Sequence, residues 1–557
     1  MNTAHHPLAV LLTALATTTI PVIAATGTLD ATFNSTGAVS TSFGATESAN
    51  AIAVMPNGKI VVVGSTNVLG NSDIAVVRYL ANGSLDKTFS SDGGTTTGIG
   101  AASQDFANAV AIQADGKIVV AGYTNADGTN DFVTARYNAD GSLDTFFGAG
   151  GRVISAVGGN DDRATCVAVQ PDGKIVVAGS TDGGGSDFVV FRYNANGTPD
   201  TTFSGDGRAN NGFNGTEFCN ALALQDDGKI VLAGYTDSQT NDFAIVRYTD
   251  TGLLDTTFDT DGKQTVAFGN DDRATGVVIQ DDGAIVVAGS WDGGSSDMAI
   301  VRFNGVTGAL DTAFSTDGKH TVNLGGADFC NALALQDDGK LLLGGYTNEL
   351  GNNDFALLRL NSNGSSDTSF GSNAILMLDL SIGGDDRATA IALQKNGKAL
   401  VAGTSLADFT VARLDTIAKT DARIGSSAPA PLGNNVYNEN GNGQSLNVDV
   451  PKSGGVKTSF VRIENDGHAT DSFLIGGTSG NSNFLVEYFN GNTNVSTAVK
   501  NGSFSTGNLA PGKSFTLKVR VTAKTGAANK QLTIFLTGSS DTDTTSTDTV
   551  RIKAKTK

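Results

Sequence analysis

An all-β chain is predicted here: a seven-bladed β-propeller of four-stranded blades, closed by its N-terminal strand, then a C-terminal immunoglobulin-like β-sandwich. Three observations carry this. The twelve residues Phe218–Lys229 recur letter for letter as Phe329–Lys340, and looser copies align on the turn glycines Gly58, Gly116, Gly173, Gly228, Gly283, Gly339 and Gly397. A spacing near that of a four-stranded blade, too long for a solenoid coil, points to a propeller. Second, Ile118–Ala121 and Phe188–Phe191 are apolar at consecutive positions. Both faces of such strands must be covered, as they are when a blade packs between two others. Third, Phe515, Leu517, Val519 and Val521 alternate with polar residues, the period of a half-buried sandwich strand.

One copy shows the strand logic. Asn220–Gln225 runs into the turn at Asp227-Gly228, and Lys229–Gly234 follows. An Asp-Gly pair between apolar runs is a strong hairpin signal, read here as a two-residue turn. Asp242–Tyr248 is the third strand, and Gln264–Phe268 a weaker fourth. The seventh copy has Ala388–Gln394, Ala399–Gly403 and Phe409–Leu414 but no fourth strand. Ala38–Phe43, an orphan strand before the first copy, is expected to pair with 409–414 and remove an exposed sheet edge.

These repeats, with a D-G-K-I-V-V-A-G-x-T core followed by D-F-x-x-x-R-Y and L-D-x-T-F, resemble the bacterial delta-60 repeat family over Leu29–Ile417. The resemblance implies a secreted or surface-associated propeller and no assigned reaction. A two-blade unit also alternates. Copies two, four and six carry Phe106, Phe218 and Phe329 with a later Tyr123, Tyr235 and Tyr346. Copies three, five and seven carry Asp-Asp-Arg-Ala-Thr, with Ser180, Ser290 or Thr404 at the tyrosine position. Seven being odd, like blades are expected to meet where copy seven touches copy one.

The domain plan is a signal peptide at 1–25, the propeller at 26–417, a linker at 418–435 and the sandwich at 436–557. Leu8–Ala16 is a short apolar run with small residues before Ala25, although its leading segment has no Lys or Arg. It predicts a secreted, periplasmic or cell-surface protein. No later stretch reaches the ~20 apolar residues of a membrane span. In the last module, Ile463–Gly467, Thr470–Phe473 and Leu509–Gly512 look like bacterial surface-protein sandwich domains. Lys553, Lys555 and Lys557 read as a solvated tail.

Charge and chemistry exclude several function classes. The net charge is −19, yet residues 434–557 hold 13 Lys/Arg against 9 Asp/Glu, leaving the rest at −23. An acidic body of that size repels phosphate backbones, so nucleic acid is no partner. Cys219 and Cys330 occupy the slot that Ala49, Ala107, Ala164, Ala274 and Ala388 fill in other copies, so they read as small buried residues. With Cys166 they make an odd number, which is no disulfide framework. His320 and His468 lie in different modules, which excludes a multi-histidine metal site.

No catalytic residue and no required cofactor is predicted. Asp and Arg recur five apart in every third strand, from Asp73/Arg78 to Asp408/Arg413, and recurrence in all seven blades argues against a unique active site. They are expected to satisfy backbone groups at loop ends or to pair between blades. The loops that open on one face are acidic: Asp161, Asp162, Asp182, Asp187, Asp271, Asp272, Asp292, Asp297, Asp385 and Asp386 are weak candidates for calcium. No loop matches a fixed calcium motif, and solvating acidic loops are the plainer account. If Asp172-Gly173 is a two-residue turn, Arg163 falls opposite Asp182 and Arg273 opposite Asp292, giving cross-strand ion pairs. Arg387 then faces Leu406 and must turn to Asp385 or Asp386. The expected function is an exported, non-enzymatic binding or scaffold protein, a monomer with a protein or glycan ligand. The alternative is a secreted metal-dependent hydrolase or lyase with its site at the pore.

Overall fold

The computed structural model describes residues 28–556, apart from 69, 183–185, 214, 238–239, 382, 417–419, 426–444, 453, 466–471, 510–512, 526, 528 and 541–546. The signal-peptide expectation at 1–25 lies outside the described residues. The chain divides into two compact units, one formed by 29–367 with 373–414, the other chiefly by the residues from Asp415 onward.

The first unit holds seven open, four-stranded antiparallel sheets. In the fourth, Glu217–Leu224, Ile230–Thr236, Asp242–Tyr248 and Lys263–Val266 follow in order. The second and third strands are buried almost throughout, as their unbroken apolar runs require. The repeat signature explains how one sheet meets the next. Arg78 donates from Nε to Asp86 Oδ2 at 2.7 Å, lies 4.6 Å over the Phe89 ring, and donates from Nη1 to the Ala139 carbonyl of the following blade at 2.7 Å. Arg192 does the same with Asp200, Phe203 and the Asp250 carbonyl. Arg247 forms an ion pair with Asp255 at 2.9 Å, lies 4.8 Å over the Phe258 ring and donates to the Gly305 carbonyl. The arginine of D-F-x-x-x-R-Y is therefore clamped by the L-D-x-T-F of its own blade and reaches into the next. The sequence expectation of pairing between blades holds for the arginine; the aspartate of that motif sits at the far end of the strand.

Closure follows the same rules. Ala38–Thr41 pairs antiparallel with Phe409–Ala412 and completes the seventh sheet. Arg413 takes Asp30 and Phe33 from the N-terminal segment, and donates to the Ala81 carbonyl of the first blade. Around the inner strands, a side chain one residue past the Ala/Cys slot donates to the slot carbonyl of the next blade. Asn50 bonds Ala107, Asn108 Ala164, Thr165 Cys219, Asn220 Ala274, Thr275 Cys330 and Asn331 Ala388. Thr389 then bonds Ala49 at 2.7 Å, bringing the series back to its start.

The second unit contains two five-stranded sheets. Val461, Ile463, Val486, Tyr488, Leu517, Val519, Val521, Ile534, Leu536, Val550 and Ile552 form its interior, so the period-two pattern does mark buried faces. Two expectations need correction. Thr420–Gly425, assigned to the linker, is a strand paired with Phe460–Asn465; the rest of that linker lies outside the described residues. Lys553 and Lys555 are no tail either. They are the exposed positions of the strand Thr547–Thr556, alternating with buried Ile552, Ala554 and Thr556.

Candidate binding face at one mouth

The inner strands begin, and the second strands end, at the same mouth, so the interblade loops and the loops between second and third strands converge there. Each inner strand starts with a buried acid that caps the incoming loop. Asp105 accepts from the Ile99 N–H and Ser103, Asp272 from the Phe268 and Gly269 N–H groups, and Asp386 from Leu380 and Ser381. Asp162 accepts from Val157, and Asp328 from Leu324. Unpaired buried N–H groups are costly, so these carboxylates are structural.

The predicted cross-strand ion pairs do not form. Arg163 stands opposite Ser180 and Arg273 opposite Ser290, not opposite Asp182 and Asp292. Two backbone features each move the register by one residue. The turn is a three-residue one: Gly173 N–H bonds the Gln170 carbonyl, Gln170 N–H bonds Lys174, and Gly173 holds φ 85°. Such loops end in a glycine bulge. A second bulge separates Ala164 from Cys166. Its signature is the glycine of V-A-G-x-T, because a lone strand glycine marks a close backbone approach. A Cβ at Gly122 would lie 1.8 Å from the Phe106 carbonyl oxygen.

The arginines turn instead to the preceding acid. Arg163 reaches Asp161 at 3.3 Å, Arg273 binds Asp271 through both Nε and Nη2 at 3.0 and 2.9 Å, and Arg387 reaches Asp385 at 3.1 Å. Arg387 takes Asp385 as expected, although it stands opposite Thr404 and not opposite Leu406. Each guanidinium also lies over a tyrosine of the preceding blade: Arg163 over Tyr123 at 5.5 Å, Arg273 over Tyr235 at 5.4 Å, Arg387 over Tyr346 at 5.4 Å. Those tyrosines stack in turn on Phe106, Phe218 and Phe329, with ring centroids 4.8 Å apart in all three pairs. The result is three copies of one Phe–Tyr–Arg–Asp column, at the seams between blades two and three, four and five, and six and seven. About half of each arginine side chain is exposed (51–53%). Sequence reasoning found the Phe/Tyr and Arg alternation but missed that the two sets meet across a seam.

The other seams differ. Ser180, Ser290 and Thr404 accept hydrogen bonds from the Cys219, Cys330 and Ala49 N–H groups of the following blade, at 2.7, 2.9 and 3.3 Å. Blade one proves to be a hybrid: Asn50 is of the even type, while Ser65 occupies the tyrosine position. Like meets like on both of its sides, by asparagine with blade two and by hydroxyl with blade seven.

The calcium candidates scatter among these roles. Asp161, Asp271 and Asp385 hold arginines; Asp162, Asp272 and Asp386 cap loops. Asp182 is exposed, and Asp292 accepts from the Gly294 N–H at 2.9 Å. Asp187 and Asp297 sit half-buried at third-strand starts, where burial pushes the Asp297 carboxyl up. Among the described residues, Asp354, Asp379 and Asp386 are the carboxylates whose oxygens all lie within 4.8 Å of one another. Asp379 stands where other blades have Gly98, Ala156, Gly212, Ala267, Asn323 or Ser42, and sequence reasoning did not single it out. Burial, then Asp379 and Asp386, raise the Asp354 carboxyl to about 6. Burial and the neighbouring Asp105 do the same at Asp73, also to about 6.

Six segments, residues 56–89, 113–147, 170–203, 225–258, 280–314 and 336–370, match the family described as domain of unknown function (DUF5122) beta-propeller. The chain carries DUF5122 β-propeller repeats. Residues 151–184 also match the WD domain, G-beta repeat. No curated protein matches the chain. Among solved structures, a protein of unknown function from Dyadobacter fermentans is 15% identical over 66% of this chain and 95% of its own, with a TM-score of 0.36. Sqt1 from Chaetomium thermophilum is 14% identical over 65% and 80%, with a TM-score of 0.36. A putative oxidoreductase (glucose dehydrogenase) from Thermus thermophilus is 13% identical over 55% and 95%, at 0.35. No helix among the described residues is long and apolar enough to cross a membrane.

Proposed function

We propose that this chain is an exported, non-enzymatic binding or scaffold protein of the delta-60 type. Its propeller is a closed seven-bladed ring that meets a protein or glycan partner at the mouth bearing the three Phe–Tyr–Arg–Asp columns. The C-terminal unit is an immunoglobulin-like sandwich serving as spacer or surface attachment. The observation that carries this reading is repetition: three chemically identical columns suit a partner contacted at several equivalent points. Partly exposed aromatic faces beside an anchored guanidinium offer stacking and hydrogen bonding together. The test is a glycan-array and affinity-capture comparison of the wild type with the triple variant Arg163→Ala, Arg273→Ala, Arg387→Ala. Partners retained by the wild type and lost by the variant support the reading. Equal retention by both sinks it.

The second reading, a metal-dependent hydrolase or lyase, draws on a non-repeating feature of that mouth, Asp379 beside Asp354 and Asp386. It requires that millimolar calcium raise Tm, since an ion binding only the folded state stabilises it by mass action. It also requires that Asp379→Asn abolish the rise. A Tm indifferent to calcium leaves the binding reading alone.

A further inference from the structure

At the mouth opposite the columns, every blade but the fifth sets a lysine ammonium against carboxylates. Lys174 Nζ lies 3.3 Å from the turn acid Asp172 and 3.4 Å from the clamp acid Asp200. Lys117 stands 3.9 and 2.8 Å from Asp115 and Asp144, and Lys340 2.8 and 3.9 Å from Asp338 and Asp367. Lys59 and Lys398 pair with the clamp acids Asp86 and Asp30, and Lys229 with the turn acid Asp227. Blade five keeps both acids, Asp282 and Asp311, but has Ala284 at the lysine position.

The two acids register the change. The Asp311 side chain is 27% exposed, against 2–8% for the other clamp aspartates. Asp282 accepts from the Ala284 N–H at 2.9 Å and forms no ion pair among the described residues. Two more departures from the repeat fall at the same place. Ala313 stands where Thr88, Thr202 and Thr257 accept from the clamp arginine. Arg302 holds Asp311 through Nη2 at 2.6 Å, while its Nε is buried without a partner among the described residues. The loop before the clamp is also longer: Phe303 bridges to Leu310, whereas Tyr79 bridges to Leu85. That loop carries Val306, which is 71% exposed. A cavity of about 260 Å³ lies here, with Asp282, Ala284, Asn304, Val306 and Asp311 on its wall. Lys229 and Arg247 line its blade-four side, where they are already paired with Asp227 and Asp255.

We propose that this cavity binds a primary ammonium group on an unbranched alkyl chain, the chemistry that the repeat itself supplies in the other six blades. The ammonium donates to Asp282 and Asp311, and its alkyl chain lies along Ala284 and Val306. An ammonium is a compact charge with three donors, which suits two carboxylates on either side of it. The cation comes from outside the chain, as the lysine side chain of a partner protein or as a free alkylamine. The site lies at the opposite mouth from the columns, so it stands or falls independently of what they bind.

The test is saturation-transfer NMR on the full chain with n-butylammonium, at constant ionic strength set by sodium chloride. The wild type is expected to give a saturable signal at millimolar concentration. Ala284→Lys, which restores the residue of the other six blades, should lose that signal and raise Tm. Asp282→Asn should weaken binding several-fold with Tm unchanged, because Asn57 and Asn396 hold the same turn in blades one and seven. Nα-acetyl-lysine methylamide binding more tightly than butylammonium identifies a partner's lysine, and the reverse order a free amine. A signal equal in the wild type and Ala284→Lys, or no saturable signal in the wild type, would overturn the proposal. So would displacement of the amine by equimolar calcium, which would make this a metal site.

Discussion

The two ends of a blade seam obey different rules. At the outer end, an arginine, an aspartate and a phenylalanine recur from blade to blade, and the arginine reaches a carbonyl of the next blade. At the mouth, the seams from blade two round to blade one alternate: an aromatic column under an exposed arginine, then a serine or threonine hydroxyl holding a backbone N–H. Uniformity is what ring geometry demands of parts that only hold blades together. Variation at the mouth, at fixed backbone, separates chemistry from architecture.

Substitutions can break that contrast. Arg247→Ala removes a guanidinium that is 2% exposed and leaves Asp255 buried beside an empty clamp. Losing one partner of a buried pair costs about 3–5 kcal/mol, and urea denaturation should register it. Ser290→Ala deletes the acceptor for the buried Cys330 N–H. An unsatisfied buried donor costs about 1–3 kcal/mol, so the midpoint should fall by less. Arg273→Ala at the mouth removes an exposed pair, worth about 1 kcal/mol or less to stability. Were it to destabilise as strongly as Arg247→Ala, the division between clamp and mouth would fail.

The pH dependence sharpens the same comparison. Asp73 and Asp354 titrate near 6 in the folded protein, above the ordinary carboxylate value. Folding therefore takes up protons between about pH 4 and 6, and stability rises as pH falls through that window. The clamp carboxylates run the other way. Against the burial that pushes it up, Asp200 is brought to about 2 by Thr202 and Arg192, so its contribution is lost only as pH falls from about 4 toward 2. Tm should thus be higher at pH 5.5 than at 7.5 and collapse below 4. Asp354→Asn should flatten the first slope and leave the acid collapse in place.

The strand order of a blade was legible because it rests on a local pattern repeated along the chain, and the pairing of Ala38–Thr41 with Phe409–Ala412 because the seventh copy lacks a fourth strand. The hairpin register did not come through. An Asp-Gly turn permits two loop lengths, and a bulge shifts pairing without altering the alternation of apolar residues. The glycine of V-A-G-x-T was the overlooked clue. The columns at the mouth were harder still, since Tyr235 and Arg273 stand 38 positions apart and only the seam brings them together. In the C-terminal unit the strong alternation of Phe515–Val521 was readable, whereas Thr420–Gly425 lacks that pattern and passed for linker.

The pairing of Ala38–Thr41 with Phe409–Ala412 has a mechanical consequence. Leu29 forms a bridge to Leu414, so the chain enters and leaves the propeller side by side, at one end of an antiparallel pair. Tension applied through these two ends would peel the closing strand one hydrogen bond at a time and would not shear the whole ladder at once. The first obstacle to that peeling is Asp30, held by Lys398 and Arg413 together. Force resistance would then reside in one buried ionic clasp, and a charge-removing substitution at Asp30 would lower the rupture force before it altered the other blades.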